Sequence, residues 1–148
     1  MKVALAADHG GYELKEKLKV HLQQKGIELL DLGCNIGDSV DYPNYGKACG
    51  EAVMNGDADS GIVICGTGIG ISIAANKVKG IRCALCTSLF MAEMARKHNN
   101  ANVLALGGRV LAPELALDIV DVFLTTEFEG GRHQRRVELL HSIENETL

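Results

Sequence analysis

Cys65 stands directly ahead of Gly66-Thr67-Gly68-Ile69-Gly70. Three alternating glycines let a backbone come close to a ligand. A helix beginning there adds free N–H groups and the positive end of its dipole. Such a cradle suits a phosphate, or an oxyanion formed during a reaction. A thiol facing it is expected to be an accessible thiolate, which can act as a nucleophile or as a proton-abstracting base. The G-x-G-x-G spacing follows the third apolar run, so it is not the dinucleotide fingerprint, and no G-K-[ST] ending makes it a P-loop. Taken alone, the glycines would equally suit a tight strand-to-helix turn, and the cysteine a buried strand residue.

Other polar residues cluster after apolar segments. His9 follows Asp8, and His98 precedes Asn99-Asn100. Both histidines are expected at one rim of a sheet. Arg109 follows two glycines, and the segment Gly130-Gly131-Arg132-His133-Gln134-Arg135-Arg136 concentrates positive charge in an acidic chain. On a helix, Arg132 and Arg136 share a face, and guanidinium groups match phosphate geometry. A solvated helical face would look the same in sequence. Five histidines with neither H-x-H nor H-x-x-x-H spacing predict no metal site.

The elements that must position these groups alternate from end to end. Continuous apolar runs at 3–7, 27–32, 61–65, 82–86 and 103–106 read as strands of a parallel sheet covered on both faces. Helical patterns fall between them, at 12–22, 43–55, 69–78, 88–98, 113–125 and 132–145. Leu14, Leu18 and Leu22 repeat every four residues, and Pro113 opens a helix where its missing N–H costs nothing. The order predicts one domain over 1–148: an α/β/α sandwich with five parallel strands, right-handed crossovers and an extra C-terminal helix. In such sheets ligands bind beyond the carboxyl ends of the strands. The last helix has an apolar stripe (Val137, Leu140, Ile143) and no strand after it, so it packs on its own domain or on a partner chain.

A chain of 148 residues, 47% hydrophobic and 23% charged, folds without disulfides or structural metal. The net charge of −4 and the absence of Trp argue against nucleic acid and anionic membrane as partners. No apolar stretch approaches membrane-spanning length. The opening apolar run is too short for a signal peptide and ends at Asp8, which predicts a cytoplasmic protein. The five cysteines, at 34, 49, 65, 83 and 86, form no disulfide framework. Cys83 and Cys86 match C-x-x-C, but on a strand residues three apart point to opposite faces.

Several segments together resemble the ribose-5-phosphate isomerase B family, over essentially the whole chain and in order. They are Asp8-His9-Gly10-Gly11, Asp41-Tyr42-Pro43, Ile64-Cys65-Gly66-Thr67-Gly68-Ile69-Gly70-Ile71-Ser72-Ile73-Ala74-Ala75-Asn76-Lys77, Gly80-Ile81-Arg82, His98-Asn99-Asn100-Ala101-Asn102 and Gly130-Gly131-Arg132-His133. The resemblance implies a sugar-phosphate isomerase with a Rossmann-like sheet and without metal or other cofactor. It also implies a homodimer or dimer of dimers whose active sites form between subunits. One branch of the family uses a cysteine as base, at the position of Cys65. Another uses a glutamate six residues later, where this chain has Ile71, so the chain falls in the cysteine branch.

The expected reaction interconverts ribose 5-phosphate and ribulose 5-phosphate through a cis-enediolate. Cys65 moves a proton between C2 and C1, Thr67 bonds near the thiol, and the N–H groups of Gly66, Thr67, Gly68, Ile69 and Gly70 steady the enediolate oxygen. By resemblance, His98 opens the furanose ring, and Asp8 and Asn99 hold sugar hydroxyls. His9, Arg109, Arg132 and Arg136 grip the phosphate, and Tyr42 lines the pocket. An isomerase of allose or galactose 6-phosphate would need the same set and a longer pocket. A non-catalytic phosphate- or nucleotide-binding module would need the cradle and the arginines but no reactive cysteine.

Overall fold

A computed structural model describes residues 1–35 and 39–148. Its strands are β1 (Lys2–Ala7), β2 (Glu28–Asp31), β3 (Ser60–Cys65), β4 (Cys83–Leu85) and β5 (Val103–Gly107). They form one parallel sheet in the order β2-β1-β3-β5-β4. Its helices are α1 (Tyr12–Gln24), α2 (Tyr42–Met54), α3 (Ile69–Asn76), α4 (Leu89–Lys97), α5 (Pro113–Thr125) and α6 (Arg132–Glu144). The edge strands β2 and β4 are shorter than their apolar runs suggested, because each pairs on one side only.

Alternation along the strands sends side chains to two different cores. Val3, Leu5, Ile62, Ile64, Leu104 and Leu106 face α1, α4 and α5 among large aliphatics and Phe123. Ala4, Ala6, Val63, Cys65 and Ala105 face α2 and α3, where the helices add Cys49, Ala52 and Ala75. Small residues bring that second layer close. A Cβ on Gly46 would lie 2.8 Å from that of Ala74, and one on Gly50 would lie 2.9 Å from Val78 Cγ2. Cys83 and Cys86 fall in opposite cores, as their spacing on an extended chain predicted.

Helix α6 lies across the amino-terminal rim beneath β4, held largely by polar contacts. The N–H of Gly80 donates to both Glu144 carboxylate oxygens at 3.0 Å, and Arg82 Nη1 meets His141 Nε2 at 2.9 Å. Val137 is buried, whereas Leu140 and Ile143 of the predicted stripe stay exposed.

At the other end of the sheet, the turn after β2 is fixed by charge. Lys15, almost fully buried, donates to both oxygens of Asp31 (2.9 and 3.0 Å), and Lys19 reaches Oδ2 at 2.7 Å. Asp31 Oδ1 also accepts the N–H of Gly33, whose carbonyl accepts the N–H of Ala7 at the end of β1. Burial alone would raise the Asp31 carboxyl, but the hydrogen bonds from Lys19 and Lys15 outweigh it and hold the group at about 2. A carboxyl lowered on folding stabilises the fold above its unfolded value, and that stability is lost as pH falls through the folded one. Asp31→Asn should therefore cost about 1–3 kcal/mol at neutral pH. In urea titrations the gap from the unsubstituted protein should close as pH drops from about 4 towards 2. A gap that persists unchanged at pH 2 would contradict the charge network.

Candidate active site

Strands β1, β3 and β5 are neighbours at the centre of the sheet, so the turns leaving their carboxyl ends touch. The N–H of Asp8 donates to the Ile64 carbonyl, that of Gly108 to the Cys65 carbonyl at 2.8 Å, and that of Arg109 to the Gly66 carbonyl at 2.9 Å. A Cβ on Gly10 would lie 2.9 Å from Gly66 N, and one on Gly108 would lie 2.7 Å from the Gly10 carbonyl oxygen. Backbone thus packs on backbone, and Asp8, Cys65 and Arg109 come together at one rim. Arg109 lies over the cradle, its Nη1 3.2 Å from where a Gly66 Cβ would stand.

The cradle has the predicted form. Gly68 adopts φ +81°, a left-handed conformation that directs its N–H at Cys65 Sγ, 3.1 Å away. A donor therefore stands where negative charge on sulfur would reside. Thr67 Oγ1 accepts the N–H of Ile69 at 3.1 Å and keeps its own proton for another partner. The thiol is less open than expected, since Cys65 is 5% exposed and Asp8 6%. Ile71, at the position of the alternative glutamate, is buried in the core.

Tyr42, at the start of α2, lays its ring against Gly70, where a Cβ would stand 2.6 Å from Cε1. His9 Nδ1 accepts the N–H of Val40 at 3.2 Å. A cavity of about 310 Å³ opens beside these groups, lined by His9, Gly10, Tyr12, Asn35 and Arg109 among others.

His98 is not at this rim, which corrects the expectation that both histidines share it. The apolar segment before His98 is the helix α4, not a strand, and His98 is its C-cap. In a βα unit the helix returns antiparallel, so its carboxyl end reaches the rim where strands begin. Six-residue β3 alone is about 20 Å long at roughly 3.3 Å per residue. Within one chain His98 is therefore remote from Cys65. Asn99, Arg132 and Arg136 lie at the same amino-terminal rim as His98.

There the rings of His98 and His133 stack at 4.1 Å, 11° from parallel, and His98 Nε2 is 3.8 Å from Glu129 Oε1. Desolvation and the neighbouring His98, Arg132 and Arg136 charges hold His133 below its ordinary value. Sequence reasoning passed over His133, although it stands between the two arginines in a segment that had drawn attention. These two histidines and Glu129 bring ligand atoms within 4.8 Å of one another. Near-parallel rings, however, send their in-plane lone pairs alongside each other rather than to one point, so the trio as arranged does not fit a tetrahedral ion.

Comparison with known proteins identifies the family. The family described as Ribose/Galactose Isomerase matches residues 3–140. Ribose-5-phosphate isomerase B of Escherichia coli is 48% identical over 97% of this chain and 96% of that protein. The solved ribose-5-phosphate isomerase B of Clostridium thermocellum superposes with a TM-score of 0.98 at 54% identity, covering 100% of both chains. The Mycoplasma genitalium enzyme, solved with bound ribulose 5-phosphate, gives 0.93 at 45% identity over 99% of this chain and 97% of that one. The fold and sequence together define a sugar-phosphate isomerase family. This chain belongs to the Ribose/Galactose Isomerase family.

The cysteines differ in their surroundings. Burial pushes Cys49 up to about 12 and Cys86 up to about 11, and raises Cys34 and Cys83 as well. Those four stay protonated at neutral pH. Iodoacetamide at pH 7.5 should accordingly label Cys65 first, as peptide mass mapping would show. Equal labelling of Cys34 or Cys83 would mean that the cradle gives Cys65 no special reactivity.

Proposed function

We propose that this chain is an aldose–ketose isomerase interconverting ribose 5-phosphate and ribulose 5-phosphate, with Cys65 as the base. The observation that carries the reading is the Cys65 thiol, held by the Gly68 N–H inside an anion cradle with Asp8, Thr67 and Arg109 around it. Relatives bearing that activity's name, one solved with the ketose product, support the choice of substrate.

The open aldose lies with C1 and C2 over Cys65. The thiolate takes the C2 proton as electrons move onto the C1 oxygen, which gives the enediolate. The thiol, whose proton can exchange with solvent, then protonates C1 as the C2–O bond becomes a carbonyl. Cradle N–H groups stabilise the oxyanion. Thr67, its oxygen already engaged by Ile69, hands its hydroxyl proton between the two substrate oxygens. Asp8 and Asn99 orient the hydroxyls, Tyr42 walls the pocket, and His9, Arg109, Arg132 and Arg136 bind the phosphate. Only protons move, so this sequence of steps calls on no metal or nucleotide. The five free cysteines suit the reducing cytoplasm, where we place the enzyme.

His98 opens the ring, and it does so from a second copy of the chain. About 20 Å of sheet separates its rim from the Cys65 rim, far more than a sugar phosphate spans. A two-fold dimer that sets one rim against the other joins Cys65, Asp8 and Arg109 of one subunit with His98, Asn99, Arg132 and Arg136 of the next. Such a dimer completes two sites at once.

Two experiments test this. Cys65→Ala should lose several orders of magnitude in turnover. It should also abolish exchange of the ribulose 5-phosphate C1 proton with heavy water. His98→Asn should cripple turnover of the closed aldose but leave that exchange intact, because the ketose is already open. Exchange lost in both variants would put His98 in the enediolate step itself.

For the shared site, Cys65→Ala and His98→Asn chains are mixed and allowed to reassociate. Each mixed dimer then has one intact site, and aldose turnover should recover to about a quarter of the unsubstituted rate. No recovery, with subunit exchange verified by mass, would place both residues in one chain's site.

A further inference from the structure

Two guanidinium groups converge on the turn that carries His98. Arg82 Nε donates to the Asn100 carbonyl at 2.9 Å. From the other side, Arg96 Nη1 donates to Asn100 Oδ1 at 3.0 Å and to the Ala101 carbonyl at 2.6 Å, and its Nε donates to the Thr126 carbonyl. Asn100 itself sits at φ +46°, in the left-handed region that an asparagine tolerates and most residues do not. Asn102 closes the loop by accepting the Arg82 N–H and donating to the Gly80 carbonyl.

Both arginines are about half buried, and burial lowers each of them, with Arg96 also lowering Arg82. Among the described residues, no carboxylate lies within 4.0 Å of either guanidinium. Their hydrogen bonds go instead to amide oxygens, three of them in the turn at Asn100–Ala101 and the others at Gly80 and Thr126, and Arg82 extends the grip to His141 on α6. Two partly desolvated cations are more than a helix end needs, since ordinary C-caps use one glycine or water. What they accomplish is to fix a turn whose first residues, His98 and Asn99, face outward.

We infer that Asn100, gripped by Arg82 and Arg96, is a positioning residue for ring opening, setting His98 at the angle that the partner subunit's site requires. The inference rests on the role of His98 proposed above. Replacing Asn100 shifts the His98 backbone without touching Cys65, Asp8 or the cradle. Ring opening therefore suffers and proton transfer at carbon does not.

Asn100→Ala should lower saturated aldose turnover by roughly 10–100-fold, as misplacing a catalytic group by about an ångström does. Heavy-water exchange at C1 of ribulose 5-phosphate should stay within about twofold, far inside that loss. Asn100→Asp keeps an oxygen for Arg96 and should restore most of the aldose rate. Should the alanine variant fail to fold, Asn100→Gly keeps the left-handed turn without strain and still removes the Arg96 bond, and it should show the same split. Aldose turnover and exchange falling together would show a general structural role and overturn the inference. Unchanged aldose turnover would overturn it too. The His98→Asn control keeps the two readings apart. If that variant itself loses exchange, the assigned role of His98 fails. If it behaves as proposed and Asn100→Ala shows no split, only the positioning inference fails.

Discussion

Contact between three backbones governs the carboxyl rim. The turns after β1, β3 and β5 meet through Gly10, Gly66 and Gly108, with no side chain between them. A single Cβ at Gly10 or Gly108 would fall within 3 Å of a main-chain atom of the next turn, and main chain cannot swing aside as a side chain can. Because the turns touch, their flanking residues converge: Asp8 from the first, Cys65 from the second, Arg109 from the third. The position of the thiol beside an acid and a guanidinium thus follows from the closeness of peptide groups. The Asp31 network extends the same device outward by fastening a fourth segment, at Gly33, to the end of β1.

A parallel sheet imposes a second constraint. Strand ends and helix ends are delivered to opposite rims, so a chain of this topology cannot bring a β-turn residue and a helix C-cap to one substrate unless it folds back or acquires a neighbour. Helix α6 partly answers this by lying across the amino-terminal rim. There it gathers His133 against His98 and ties itself to Gly80 and Arg82. It organises the cluster around His98 and leaves the Cys65 rim a strand's length away.

Much of this was legible in the sequence because strand runs and the glycine cradle are local signals. The parallel sheet, the cradle ahead of α3, the N-terminal proline of α5 and the opposed faces of Cys83 and Cys86 all follow from spacing of a few residues. Strand order was not readable, since nothing local tells β5 to insert between β3 and β4. Placing His98 at the wrong rim had a related cause. His9 and His98 both follow apolar segments, but the segment before His98 is the helix read at 88–98, and a helix finishes at the other side. The exposure of Cys65 was also misjudged, because a cradle close enough to serve a thiol is close enough to cover it. The turn at Asn100 gave no sequence signal, since its meaning lies in the contact with Arg82, eighteen residues away, and in the anchoring of Arg96 to Thr126, thirty residues along.

The two cores differ in grain. One side of the sheet is filled by leucine, isoleucine and Phe123, whose flexible rotamers can redistribute a lost or added methyl. The other is richer in alanine, cysteine and glycine, with Val63, Ile71, Ile81 and Val103 as its larger buried members, and helices α2 and α3 sit so near the strands that less side chain is left to adjust. The helices on that fine-grained side present Tyr42 and the cradle. Variation in this enzyme therefore has an uneven terrain: the coarse side can drift through many near-equivalent packings while the chemistry stays put. The fine side is nearly frozen, so a change of substrate would have to arise in the loops above it.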